Sequence, residues 1–172
     1  MRQSIVSFVV LAVTGCGPSG PSPAPAPVER APMLVRAPFD RTWDATLDRL
    51  AEHGLPVRMI DRTSGFIATN VVRIAPPKAE PPARASVVRW TPPDTTSPKA
   101  DCTQPDGTTY DLTFASYSVR VHVDSAGSRV QVFATFSGAR NETSMAKRPC
   151  RSLGVFETNL ERAIKAKAER GP

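Results

Sequence analysis

YDLTFASYSVRVHVDSAGSRVQVFATF, residues 110–136, is the stretch that decides the fold. Apolar residues recur at every second position, the period of a strand with one buried face. Tyr110, Leu112 and Phe114 share one parity; Tyr117, Val119, Val121 and Val123 share the other. The phase changes at Ala115 and Ser116, which predicts a β-bulge there. Ser125, Ala126 and Gly127 supply a turn, and Val130, Val132, Ala134 and Phe136 then alternate with polar residues. The prediction is a long antiparallel hairpin with one apolar face. Phe133 breaks its polar side and is a candidate partner-binding residue.

Upstream, Met33, Leu34 and Val35 form a short strand candidate. A helix follows, with Asp40 as N-cap and Gly54 at C′, and with Trp43, Leu47, Leu50 and Ala51 on one face. Val57, Arg58, Met59 and Ile60 read as a strand and residues 61–65 as a turn capped by the Asp61 side chain. A second strand covers 66–72. Downstream of the hairpin, a polar loop leads to a helix over 153–168 with Ser152 as its N-cap. Its inner stripe is Phe156, Leu160, Ala163, Ile164 and Lys167. Glu157 and Glu161 come early and Lys165, Lys167 and Arg170 late, the order that suits the helix dipole.

The order β-α-β-β-loop-β-β-α predicts an α+β domain over 32–170, an antiparallel sheet with two helices packed on one face. Trp43, Phe114, Phe136 and Phe156 are expected to fill the space between helices and sheet. Within this domain, residues 74–108 hold eight prolines, among them Pro76, Pro81, Pro92 and Pro105. They read as a long surface insertion with a short strand at 85–90. Trp90 in this insertion is a second candidate contact, and Arg58 a third.

The N-terminus carries a different signal. Arg2 precedes a short apolar run at 5–13, and small residues follow. This is the pattern of an export signal, too short to span a bilayer, which takes about 20 apolar residues. Val13-Thr14-Gly15-Cys16 resembles the bacterial lipobox. Residues 1–15 are then a signal peptide, and Cys16 bears the lipid that anchors the chain in the bilayer. The chemistry demands that spacing: the Cys16 thiol is alkylated, and small residues let the peptidase reach the preceding bond. Gly17 follows, where lipoproteins retained at the inner membrane carry Asp, which implies the outer membrane, facing the periplasm. Residues 16–31 are proline-rich, favour extended polyproline geometry, and form a tether.

An exported chain meets conditions in which disulfides persist. Cys102 and Cys150 are the two cysteines besides Cys16, and they are expected to pair. The closed loop would contribute roughly 4 kcal/mol in the chain-entropy picture. The formal net charge is +6, with no run of like sign. Export argues against nucleic acid as the partner.

Phe39-Asp40-Arg41-Thr42-Trp43-Asp44, Leu50-Ala51-Glu52-His53-Gly54 and Ile60-Asp61-Arg62-Thr63-Ser64-Gly65-Phe66-Ile67-Ala68-Thr69 together resemble the start of the repeated domain of BamC-type (NlpB/DapX) lipoproteins. The resemblance covers about 30 residues closely and the remainder by element order. It implies a helix-grip fold and a part in outer-membrane assembly or maintenance. Those lipoproteins carry two such domains; this chain has room for one.

No catalytic constellation stands out, and no cofactor is expected. His53 and His122 read as surface residues far apart in sequence, without the neighbouring carboxylates a metal or catalytic site needs. Asn141-Glu142-Thr143 has the form of a glycosylation triplet, without meaning in a bacterial lipoprotein. The expectation is a non-enzymatic envelope lipoprotein that binds a protein or envelope component. The alternative is a carrier holding an apolar ligand between helix and sheet.

Overall fold

Alternation in the 110–136 stretch, interrupted by one bulge, gives two long strands, and everything else is arranged around them. A computed structural model describes residues 30–74, 98–140 and 146–170 in full, and 89–90 for the backbone. The export signal, Cys16, the tether up to residue 29, much of the 74–108 insertion and the Asn141-Glu142-Thr143 triplet lie outside the described residues. In chain order the elements are β1 (Met33–Val35), α1 (Phe39–Glu52), β2 (Val57–Asp61), β3 (Phe66–Thr69), β4 (Val72–Ile74), β5 (Arg89–Trp90), β6 (Ala100–Asp101), β7 (Asp111–Asp124), β8 (Gly127–Ala139), β9 (Arg148–Ser152) and α2 (Val155–Arg170).

β7 and β8 pair antiparallel from Asp111↔Ala139 to Asp124↔Gly127. Each outer edge of this ladder is long enough to take two short strands end to end. β3 and β4 line the free edge of β7. β1 and β9 line that of β8. β2 adds outside β3, and β6 outside β9. Every pairing is antiparallel except the short contact of β4 with β5. Both helices pack on one face, against each other and against β8, giving the expected α+β architecture. Tyr117, Val119, Val121, Val130, Val132 and Phe136 from the sheet meet Trp43, Leu50, Phe156, Leu160 and Ile164 from the helices. The Tyr117 ring lies 4.5 Å from that of Phe156.

The bulge sits at Thr113, two residues before the expected phase change. The register steps from Leu112↔Gly138 to Phe114↔Ser137, and the Thr113 hydroxyl donates back to the Asp111 carbonyl at 2.8 Å. Leu112 therefore joins the helix face and packs on the core, whereas Phe114 turns to the opposite face. There the Lys147 ammonium lies 4.0 Å from the centre of its ring. Phe114 is thus not part of the filling between helices and sheet.

Other boundaries shift for local reasons. The strand expected over 66–72 breaks at Asn70 and Val71. The Thr69 hydroxyl accepts the Tyr117 N–H at 2.9 Å, while the Asn70 N–H turns to the Pro56 carbonyl at 2.8 Å. α1 starts at Phe39 after Pro38, so Asp40 lies in the first turn and is not the N-cap. Its carboxylate instead accepts from Arg62 at 2.7 Å. Ala51 is exposed, and Thr42, Ala45 and Thr46 are buried in its place. The two threonine hydroxyls reach carbonyls one turn back, so burial leaves them satisfied. Gly54 ends the helix as expected. With φ at 65°, it lets the Leu55 N–H reach the Leu50 carbonyl and its own N–H reach Ala51, a Schellman closure.

The polar loop expected before the last helix contains β9, and residues 98–108 belong to the domain. The disulfide Cys102–Cys150, with a sequence separation of 48, binds that segment to β9, and Ala100↔Ser152 pairs beside it. α2 runs from Val155, and Ser152 stands before it. The Ser152 hydroxyl accepts the Gly154 N–H at 3.0 Å and donates to the Glu157 carboxylate.

Gly65 closes the β2–β3 turn with φ at 66°, and its carbonyl accepts the Val121 N–H at 2.8 Å. A Cβ at this position would lie 1.9 Å from the Val121 carbonyl oxygen. Gly65→Ala combines left-handed strain with a backbone collision. The expected loss is about 2 kcal/mol or more of unfolding free energy, read by urea titration, with the disulfide intact.

Candidate binding face

The pleat that feeds the core on one side sends every other residue to the side without helices. The pairings set these residues in rows. Met59, Ala68, Ser118 and Phe133 form one row; Asp61, Phe66, Arg120 and Gln131 form the next. His122, Arg129 and Leu34 form a third. At the far end stand Arg73, Phe114, Ser137 and Pro149. Small hydroxyl side chains occupy the middle of this face, and cations and phenylalanines surround them.

Phe133 is on this face and 37% exposed, so its departure from alternation puts an aromatic ring at the surface. Arg58 lies on the outermost strand, where the β2–β3 register shifts between Val57 and Met59. Trp90 is in β5, its backbone opposite Ile74, and its side chain is outside the described residues. The three sequence candidates therefore stand on three different strands, and only Phe133 belongs to the rows above. The residues sequence reasoning passed over are Phe66 and Arg120, direct neighbours across β3 and β7. With Ser64 and His122 they line an open hollow of about 390 Å³. Their parity was visible in the strand pattern; which strand lay beside β7 was not.

The hollow is bordered by a rigid turn. Asp61 accepts from the N–H groups of Thr63 and Ser64 at 3.0 and 3.2 Å and from the Ser64 hydroxyl at 2.7 Å. The Ser64 hydroxyl, and after it the backbone N–H groups, hold the Asp61 carboxyl below the usual carboxylate range. His122 is exposed at the rim, as expected. His53 departs from expectation. It caps α1 half-buried, edge-on to Phe156 at 5.9 Å. Burial first, then the Arg49 charge, push its pKa below the ordinary histidine value.

The helix side carries two carboxylates that lie outside the expected inner stripe of α2. Glu157 and Glu161 are each 3% exposed. The Glu161 carboxylate accepts the Val132 N–H at 2.8 Å and both guanidinium nitrogens of Arg30 at 3.3 Å. Arg30 also donates to the Val132 carbonyl at 2.7 Å and the Thr158 hydroxyl at 3.0 Å. The carboxylate thus ties α2 to β8 and to Arg30, ahead of β1. Burial pushes Glu161 above the usual range, and the Val132 N–H and Arg30 oppose that shift. Burial, and next the charge of Glu157, also raise the Tyr117 phenol. Lys167, expected at the edge of the inner stripe, bridges to Asp48 at 2.8 Å and Glu52 at 2.7 Å on α1.

A second hollow, about 370 Å³ and apolar, lies where α1 ends, between Leu47, Ala51, Leu55 and Val57. Among the described residues no group of His, Cys, Asp or Glu is placed to hold a metal ion, and no helix is long and apolar enough to cross a membrane. Fold and face together define a disulfide-linked α+β domain with both helices on one side of an open sheet. No protein-family model and no curated protein sequence matches the chain.

A carboxyl with a raised folded pKa binds its proton more tightly in the folded state than in the unfolded one. Its contribution to stability is complete below the unfolded pKa and is lost as pH rises through the folded one. Glu161→Gln is expected to flatten that decline, seen as a smaller fall in unfolding free energy across the mildly acidic range. Arg30→Ala leaves the carboxylate buried without its cation and is expected to cost about 3 kcal/mol at neutral pH in the same urea titration.

Proposed function

We propose that this chain is an exported lipoprotein, acylated at Cys16, that acts as a non-enzymatic binding module of the cell envelope. The lipobox-like Val13-Thr14-Gly15-Cys16 after a short apolar run supports the anchor. The Cys102–Cys150 disulfide agrees with it, since such a cross-link persists in an oxidising compartment. Resemblance to BamC-type lipoproteins suggests outer-membrane assembly or maintenance as the setting.

The observation that carries the binding role is the contrast between the two faces of the sheet. Trp43, Tyr117, Phe136 and Phe156 are buried between sheet and helices, and that filled space favours an external contact over an apolar ligand carried inside. The opposite face presents Phe133, Arg120 and His122 to solvent. The buried carboxylates are engaged in holding α2, Glu157 with Ser152 and Glu161 with Val132 and Arg30, which is a structural employment.

Two measurements in cells test this. Labelling with an alkyne fatty acid is expected to mark the wild-type chain and to vanish with Cys16→Ser; a label that persists in the variant, or never forms, removes the anchor. A photoreactive phenylalanine analogue is then placed at Phe133, or at the exposed Arg162 of α2. Adducts with an envelope component are expected from the first position only. Equal adducts from both, or adducts from Arg162 alone, take the contact off this face.

A further inference from the structure

We infer that the hollow formed by Ser64, Phe66, Arg120 and His122 binds the phosphate of an anionic membrane lipid, so that the helix-free face of the sheet lies on the bilayer. The inference deepens the function proposed above and rests on its lipid anchor for the nearness of the membrane.

Among the described residues Arg120 makes no ion pair and no hydrogen bond through its guanidinium, and it is exposed in the centre of the face. Both carboxylates that share the face near it are occupied. Asp124 accepts from Arg129 at 2.6 Å, and Asp61 is held by Ser64 and Thr63. The Arg120 charge is therefore available, and a guanidinium fork matches phosphate oxygens in two parallel hydrogen bonds. His122, two residues along β7, provides ring nitrogens beside it, and the Phe66 ring forms an apolar wall. A hollow of about 390 Å³ admits a phosphate with part of its alcohol.

The adjoining row supplies what a soluble phosphate would not use. Met59 and Phe133 are 48% and 37% exposed, at the two ends of the row next to Arg120. Apolar side chains beside cations on one exposed face suit the boundary between lipid headgroups and acyl chains, where aromatic rings are favoured.

Gln131 stands directly across β7–β8 from Arg120, and its side-chain amide donates to the Arg30 carbonyl at 2.7 Å. The tether therefore joins the domain beside the row that contains Arg120. Arg30 lies fourteen residues after Cys16, a covalent span of at most roughly 45 Å, ample for the face to settle on the membrane that holds the lipid. Tethering makes that encounter intramolecular, so a modest affinity for headgroups suffices. An acyl anchor and a basic patch are the usual pair of signals for stable attachment.

The mature chain from residue 16, carrying Cys16→Ser so that neither the export signal nor acylation is a source of binding, is mixed with phosphatidylcholine vesicles with or without phosphatidylglycerol and sedimented. Partitioning is expected to rise with phosphatidylglycerol. Arg120→Glu reverses one charge and is expected to lower that rise by roughly 30-fold, taking the contribution of each basic residue near an anionic surface as additive. Arg162→Glu makes the same change in net charge on α2 and is expected to retain binding. Arg120→Gln serves where the reversal disturbs folding, checked by circular dichroism. Undiminished binding of the Arg120 variants overturns the inference, and so does an equal loss with Arg162→Glu, which would reduce the effect to net charge. Retention of inorganic phosphate by the chain in equilibrium dialysis, lost with Arg120→Gln, together with no rise in partitioning with phosphatidylglycerol, would assign the hollow to a soluble ligand and overturn the lipid. Because the chain is not acylated in this experiment, a failed fatty-acid label at Cys16 and a failed vesicle interaction are separate results.

Discussion

One ladder governs the architecture: β7 bonded to β8 along nearly the whole length of both strands. A two-stranded ribbon of that length cannot stand in water by itself. Its apolar side needs cover, and its two outer edges need partners for their N–H and C=O groups. The short strands meet the second need, two to each edge, and the helices meet the first. The Thr113 bulge adjusts this ladder in one place. It keeps Leu112 over the core while sending Phe114 to the other side.

Once the helices take one face, the other is left to solvent, and the pleat dictates its residues. This explains why a face without a core still has order. Its side chains stand in rows fixed by register, with Phe66, Arg120 and Gln131 adjacent across three strands. Gly65 seats the β2–β3 turn against Val121 and so holds Ser64 and Phe66 at the rim of the hollow. The same contact that fixes the fold thus shapes the candidate site.

The buried polar groups follow a different logic. Glu161 reaches through the helix–sheet interface to an N–H of β8 and to Arg30. Burying a carboxylate costs desolvation free energy unless it is bonded and paired, and here it is both. The gain is positional: the segment at Arg30, α2 and β8 are joined at one point. The disulfide does likewise at the opposite edge, tying residues 98–108 to β9.

The amino-acid sequence by itself determined the long hairpin, the two helices, the Asp61–Gly65 turn, the Gly54 helix end and the pairing of Cys102 with Cys150. Each of these is written in local periodicity, in backbone freedom or, for the cysteines, in chemistry open to few partners. Phe133 was legible for the same reason, as one apolar residue on the wrong parity. Only the tertiary structure decided the strands β6 and β9, the position of the bulge, the half-burial of His53 and the burial of Glu157 and Glu161. Those depend on groups far apart in the chain. A carboxylate on a helix reads as solvent-facing until Arg30 and the Val132 N–H arrive to meet it. The hollow is of the same kind, because Phe66 and Arg120 become neighbours through strand pairing, which no local pattern records.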